Sequence, residues 1–104
     1  MVDRAVLAEK IAAVRDAVAR IREVLPPSAD ELAADRTRRE VVVLNLFVAL
    51  QESLALATHW LADAGLDVPQ AYADVFRSLG ERGLIEPALA ARLAAAAGLR
   101  NLIA

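Results

Sequence analysis

RTRREVVVLNLFVALQESLALATHWLADA, residues 36–64, decides the fold of this 104-residue chain. Val43, Leu46 with Phe47, Leu50, Leu54, Ala57 and Leu61 recur at the three- and four-residue spacing of one helical face. Leu44, Val48, Leu56 and Trp60 add apolar surface off that stripe. A helix apolar on more than one side is expected to be the central helix of a bundle or a dimer helix. At about 1.5 Å per residue it runs roughly 40 Å. Gly65 stands where a C′ glycine ends a helix. Just upstream, Ser28-Ala29-Asp30-Glu31 has the spacing of a capping box, and Asp35 is a candidate second N-cap where the helix pauses.

Outward from that stretch the pattern stays helical. Leu7, Ile11, Val14, Val18, Ile21 and Leu25 step by four, three, four, three and four residues, a heptad-like seam on a helix over 3–25. Asp3 is its N-cap and Pro26-Pro27 its stop. On the other side, Gly65-Leu-Asp-Val-Pro69 reads as a tight connection, with Pro69 in the first turn of a short amphipathic helix. Tyr72, Val75, Phe76 and Leu79 mark that helix, which Gly80 and Gly83 close near Arg82. Glu86-Pro87 opens the last helix, whose expected buried face is Leu89, Leu93, Ala96, Leu99 and Ile103. Gly98 weakens it by about 1 kcal/mol relative to alanine and suggests a bend or a close backbone approach. No segment alternates with period two. The expectation is an all-α protein: one domain over 1–104, an antiparallel bundle of four main helices with short connections.

Composition narrows the function classes. Apolar residues make up 58 % of the chain, much of it alanine, and the mean hydropathy of +0.40 is high for a monomer with covered stripes. Self-association or a partner is expected. The net charge of −2 gives no bulk nucleic-acid footprint, though a local cationic cleft needs none. With no cysteine and one histidine, disulfides, thiolate nucleophiles and His-based metal clusters have no residues to build them. The acidic residues show no metal-ligand spacing, and no cofactor is expected. Charges interrupt the N-terminus, and the longest apolar run, Val41 to Leu50, is shorter than the roughly 20 residues a bilayer demands. A cytoplasmic protein without a membrane segment is expected.

Candidate site residues are few. Gly98-Leu-Arg-Asn-Leu-Ile-Ala104 places Arg100 and Asn101 between apolar Leu99, Leu102 and Ile103, so a cation and an amide point away from a buried face. The plain alternative is a helix end, where an arginine favours the negative end of the dipole. His59 reads as a surface or interface residue paired with Asp63. Arg36, Arg38 and Arg39 form either a solvated face balanced by Asp30, Glu31, Asp35 and Glu40 or a phosphate-contacting rim. Gln51-Glu52 interrupts apolar surface and either crosses a dimer seam or lines a cleft. Tyr72 and Phe76 are most simply core.

The segment from Tyr72 to Pro87 (YADVFRSLGERGLIEP), the alanine-rich helix after it, and GLRNLIA at 98–104 together resemble the HepT-like branch of the HEPN ribonuclease families. The resemblance covers essentially the whole chain. That family carries an arginine, four residues, a histidine, one residue and a tyrosine; Arg100 fits the arginine, and Asn101 to Ala104 the four. The resemblance implies a metal-independent endoribonuclease toxin. Two bundles pair so that both motifs face one cleft, and a nucleotidyltransferase antitoxin silences the toxin at the motif tyrosine. Arg100 would stabilise phosphoryl charge, and Asn101 would orient the motif or contact the phosphate. The motif histidine and tyrosine are absent, so a C-terminally incomplete, inactive domain is expected. The alternative is a non-catalytic helical module that binds a nucleotidyltransferase partner or itself. A purely structural helical dimer is a third reading.

Overall fold

Residues 3–103, with side chains up to Arg100, are described in the computed structural model. Within them are five α-helices: α1 (Arg4–Val24), α2 (Ala29–Ala34), α3 (Arg36–Asp63), α4 (Tyr72–Glu81) and α5 (Pro87–Ile103). The 28 residues of α3 span about 42 Å, most of the molecule's 46 Å long axis. All four other helices pack on α3, and α4 also packs on α5. Among the described residues α1 has no helix neighbour but α3. By length and composition α3 is apolar enough to cross a membrane, which the ten-residue run from Val41 to Leu50 in its first half does not suggest; here the other helices pack around it.

The capping chemistry reads through to the structure. Asp3 Oδ1 accepts from the Ala5 N–H at 2.8 Å, and Ser28 Oγ from the Glu31 N–H at 3.2 Å. Asp35 ends α2 and starts α3, its Oδ1 accepting from the Arg38 N–H at 3.1 Å. Gly65 (φ 75°) and Gly83 (φ 73°) take the left-handed conformation. Behind each, a backbone N–H folds back: Leu66 to the Leu61 carbonyl at 2.9 Å and Leu84 to the Leu79 carbonyl at 3.0 Å. Both ends are Schellman turns.

Three expectations change. First, α4 begins at Tyr72 and not at Pro69. Ala71 is extended (φ −80°, ψ 132°) and acts as N-cap, which places Asp74 in the first turn, where the dipole favours an acid.

Second, Gly80 does not close α4 but lies inside it. A Cβ there would sit 2.5 Å from the Cβ of Ala90, so two backbones meet at that point. This contact turns α5 so that its small residues face inward: Ala90, Ala94 and Ala97 are buried, while Leu89 and Leu99 are more than two-fifths exposed. Of the expected face, Leu93 still packs against the core and Ala96 is half-buried, but Leu89 and Leu99 are turned outward; Leu102 and Ile103 have side chains outside the described residues. Gly98 faces open space, with no close approach.

Third, the α1 seam is half covered. Only Ala17 of α1 is fully buried, and Ile11 and Leu25 are exposed. The main core is Leu54, Ala57 and Leu61 of α3 with Val75, Phe76 and Leu79 of α4 and Ala94 and Ala97 of α5. Exposed surface totals 7003 Å², against roughly 5,700 Å² for a monomer of this mass. The excess agrees with the apolar surface left open.

Candidate functional site

The antiparallel α4–α5 hairpin brings the start of α4 beside the end of α5, against the middle of α3. Phe47 and Gln51 are one turn apart on α3 and so share a face. Tyr72 is the first residue of α4, and Arg100 lies three residues beyond buried Ala97 on α5. The four side chains converge. Arg100 Nη2 donates to Gln51 Oε1 at 2.8 Å, and Arg100 Nε donates to the same oxygen at 3.2 Å. The guanidinium carbon lies over the Tyr72 ring at 4.6 Å and over the Phe47 ring at 5.1 Å from their centroids. Each ring contact is worth about 0.5–1 kcal/mol at a partly exposed site. Beneath the guanidinium is a small crevice lined by Leu50, Leu54, Phe76 and Ala97. Arg100 is half-buried and carries no acidic partner among the described residues, so its charge is held in place without being neutralised.

Arg100 is thus more than a frayed helix end, although it also lies in the last turn of α5, where a cation is favoured. Gln51 turns to Arg100, while its neighbour Glu52 accepts from Lys10 Nζ at 3.1 Å and ties α1 to α3. Tyr72 and Phe76 part company: Phe76 is 2 % exposed and core, but Tyr72 is 36 % exposed and stacked on the arginine. The Asn101 side chain lies outside the described residues.

The other candidates do not join this group. His59 is exposed, two turns beyond Gln51 along α3, about 12 Å by helical rise. It lines a separate groove of about 340 Å³ with Asp3, Lys10 and Asp63. Arg36 pairs with Glu40 at 2.8 Å and Arg38 with Asp35 at 3.4 Å, while Arg39 donates to the Ala33 carbonyl. These contacts are those of a solvated face. Among the described residues no three His, Asp or Glu side chains are placed to hold a metal ion. A second opening, about 300 Å³ and nearly all apolar, lies between α1 and the α4–α5 hairpin; Ile11, Val14, Leu56, Trp60, Leu79 and Ile85 line it.

Arg100 is marked in the sequence by the family resemblance alone, and Gln51 only as a polar interruption with two possible roles. Nothing in the sequence marks Phe47 and Tyr72 as ring partners of the arginine. Arg100 and Gln51 are 49 residues apart, and no local period reports a contact of that range.

The family model described as Ribonuclease HepT-like matches residues 14–104. A search of curated protein sequences finds no match. One similar solved structure is a toxin–antitoxin complex with AMP-PNP, with a TM-score of 0.86 and 28 % identity, covering 94 % of this chain and 74 % of that one. Another is a tri-AMPylated HEPN toxin of Shewanella oneidensis in complex with MNT antitoxin, with a TM-score of 0.86 and 29 % identity, covering 98 % and 74 %. A third is a tyrosine-to-alanine mutant of the toxin–antitoxin MntA–HpeT, with a TM-score of 0.85 and 29 % identity, covering 93 % and 75 %.

Proposed function

Because this chain belongs to the HepT-like ribonuclease family, whose model spans residues 14–104, we propose that it is the helical domain of a metal-independent endoribonuclease toxin, with Arg100 as the cation that holds the RNA phosphate. The observation that carries this reading is the half-buried guanidinium, held against Gln51 and two rings with no acidic partner among the described residues. A planar fork of N–H donors fixed before the anion arrives suits the charge that builds on phosphoryl oxygens during strand cleavage. In the family pattern a histidine five residues beyond the arginine moves the proton of the ribose 2′-hydroxyl or of the leaving oxygen. These 104 residues contain one histidine, His59, which faces a different groove. They are therefore expected to bind RNA without cutting it. In this reading Asn101, as the family resemblance implies, orients the motif or touches the phosphate.

Two bundles pairing across this face would bring two such arginines to one cleft. The exposed apolar surface supports that arrangement: Leu44, 62 % exposed, lies on the same α3 face as Gln51, two turns away. The partner we propose is a nucleotidyltransferase antitoxin, as in the similar complexes, with the pair working in the cytoplasm.

The test is binding of a labelled single-stranded RNA, followed by anisotropy, together with metal-free cleavage. Wild type is expected to bind, and Arg100→Ala to bind at least about tenfold more weakly with a salt slope lower by about 1. Robust metal-free turnover by these residues would remove the need for the histidine. Sedimentation as a monomer at micromolar concentration would count against the paired cleft.

A second reading, a non-catalytic module that docks a nucleotidyltransferase, is favoured by the apolar groove at Trp60, which is 43 % exposed. Under that reading Trp60→Ala loses the partner while Arg100→Ala leaves RNA binding as it was.

A further inference from the structure

A guanidinium offers five N–H donors in one plane. Nε and Nη2 of Arg100 both donate to Gln51 Oε1, and together they form the side edge of the fork, an edge on which arginine can take a phosphate or carboxylate in parallel. That edge is occupied. Two hydrogens on Nη1 and one on Nη2 remain, and the edge they leave is the end, between Nη1 and Nη2. Swinging the plane to expose the side edge would break both hydrogen bonds and pull the cation off the Phe47 and Tyr72 rings.

Resting on the reading of Arg100 as the phosphate-holding cation, we propose that Gln51 is a positioning residue that closes the side edge of Arg100 and leaves an RNA phosphate to be taken end-on, at Nη1 and Nη2. The residue type matters. An amide oxygen accepts both N–H groups and leaves the full positive charge for the substrate. A carboxylate at the same place would grip the same edge more strongly, cancel the charge and repel the phosphate. An apolar residue would leave the guanidinium loose, so that each binding event has to order it.

Three variants test this with the same labelled single-stranded RNA, and the midpoint of thermal unfolding is read alongside. Gln51→Ala is expected to weaken RNA binding about three- to tenfold, the cost of immobilising one flexible side chain on association. Gln51→Glu is expected to weaken it more, about tenfold or beyond, through like-charge juxtaposition, with an unfolding midpoint no lower than wild type. That separation is the signature of positioning: a merely structural Gln51 would bind RNA as well or better once its hold on Arg100 was strengthened. Arg100→Ala is the reference. If it weakens binding while both Gln51 variants bind like wild type, the role given to Gln51 is overturned and the proposed function stands. If Gln51→Glu loses binding only together with a lowered midpoint, plain destabilisation replaces positioning. If Arg100→Ala binds like wild type, the proposed function falls and this inference falls with it.

Discussion

The two sides of α3 are built by different means. On one side lies α1, a 21-residue helix with a regular heptad seam whose large aliphatic residues rest on α3 half uncovered. On the other lies the α4–α5 hairpin, shorter in each helix, where Gly80 and three alanines bring backbones together and Val75, Phe76 and Leu79 are buried to 3 % exposure or less. The side with the clearer sequence pattern is the looser one. A heptad seam says which face of a helix is apolar, but how completely that face is covered depends on what stands opposite, and α1 has only α3. The site lies on the tight side, where a rigid hairpin can fix a side chain as long as arginine.

The contrast breaks most readily through a large core residue. Phe76→Ala is expected to cost about 3–5 kcal/mol in urea unfolding, and Ile11→Ala on α1 only about 1 kcal/mol, because its burial is partial. Equal costs would end the distinction between the two sides.

A smaller effect sharpens it. Gly80→Ala places a methyl group against Ala90 and is expected to destabilise by about 1–2 kcal/mol, overpacking outweighing better helix propensity. Gly98→Ala, facing open space in α5, is expected to stabilise by about 0.5–1 kcal/mol. The same substitution in one hairpin thus changes sign with the local gap, and equal signs would show that α4 and α5 do not meet closely.

The smallest effect belongs to the loose side. Lys10→Ala removes the tie from α1 to Glu52, a pair about a quarter exposed at each end, and should cost about 0.5–1 kcal/mol, less at high salt. A cost of several kcal/mol would mean that α1 depends on that ion pair more than on its seam.

Most of the architecture was legible in the residues. Asp3, Ser28, Asp35, Gly65 and Gly83 act where their chemistry puts them, because caps and left-handed turns are decided within a few residues of chain. The buried face of α5 was not legible. Leucines outrank alanines in any reading by apolar size, and only the approach of Gly80 to Ala90 makes small residues the better fit. Arg100 was marked by family resemblance, while its partners were hidden by distance along the chain. Gln51 was visible as a polar interruption, but which helix it served depends on the rotation of α5. Tyr72 read as core because tyrosine and phenylalanine four apart look alike in a helix, and the difference between them is set by where α4 starts.

Gln51 and Glu52 are consecutive, and consecutive side chains leave a helix about 100° apart. One reaches the end of α5 and the other reaches α1. Adding or deleting a single residue in the first half of α3 would turn both of these anchor points around the rod relative to everything upstream, so α1 could not keep both its place along the rod and its tie to Glu52. Lineages that carry this domain should therefore lengthen or shorten it at the joints between helices and keep the residue count of the rod itself constant.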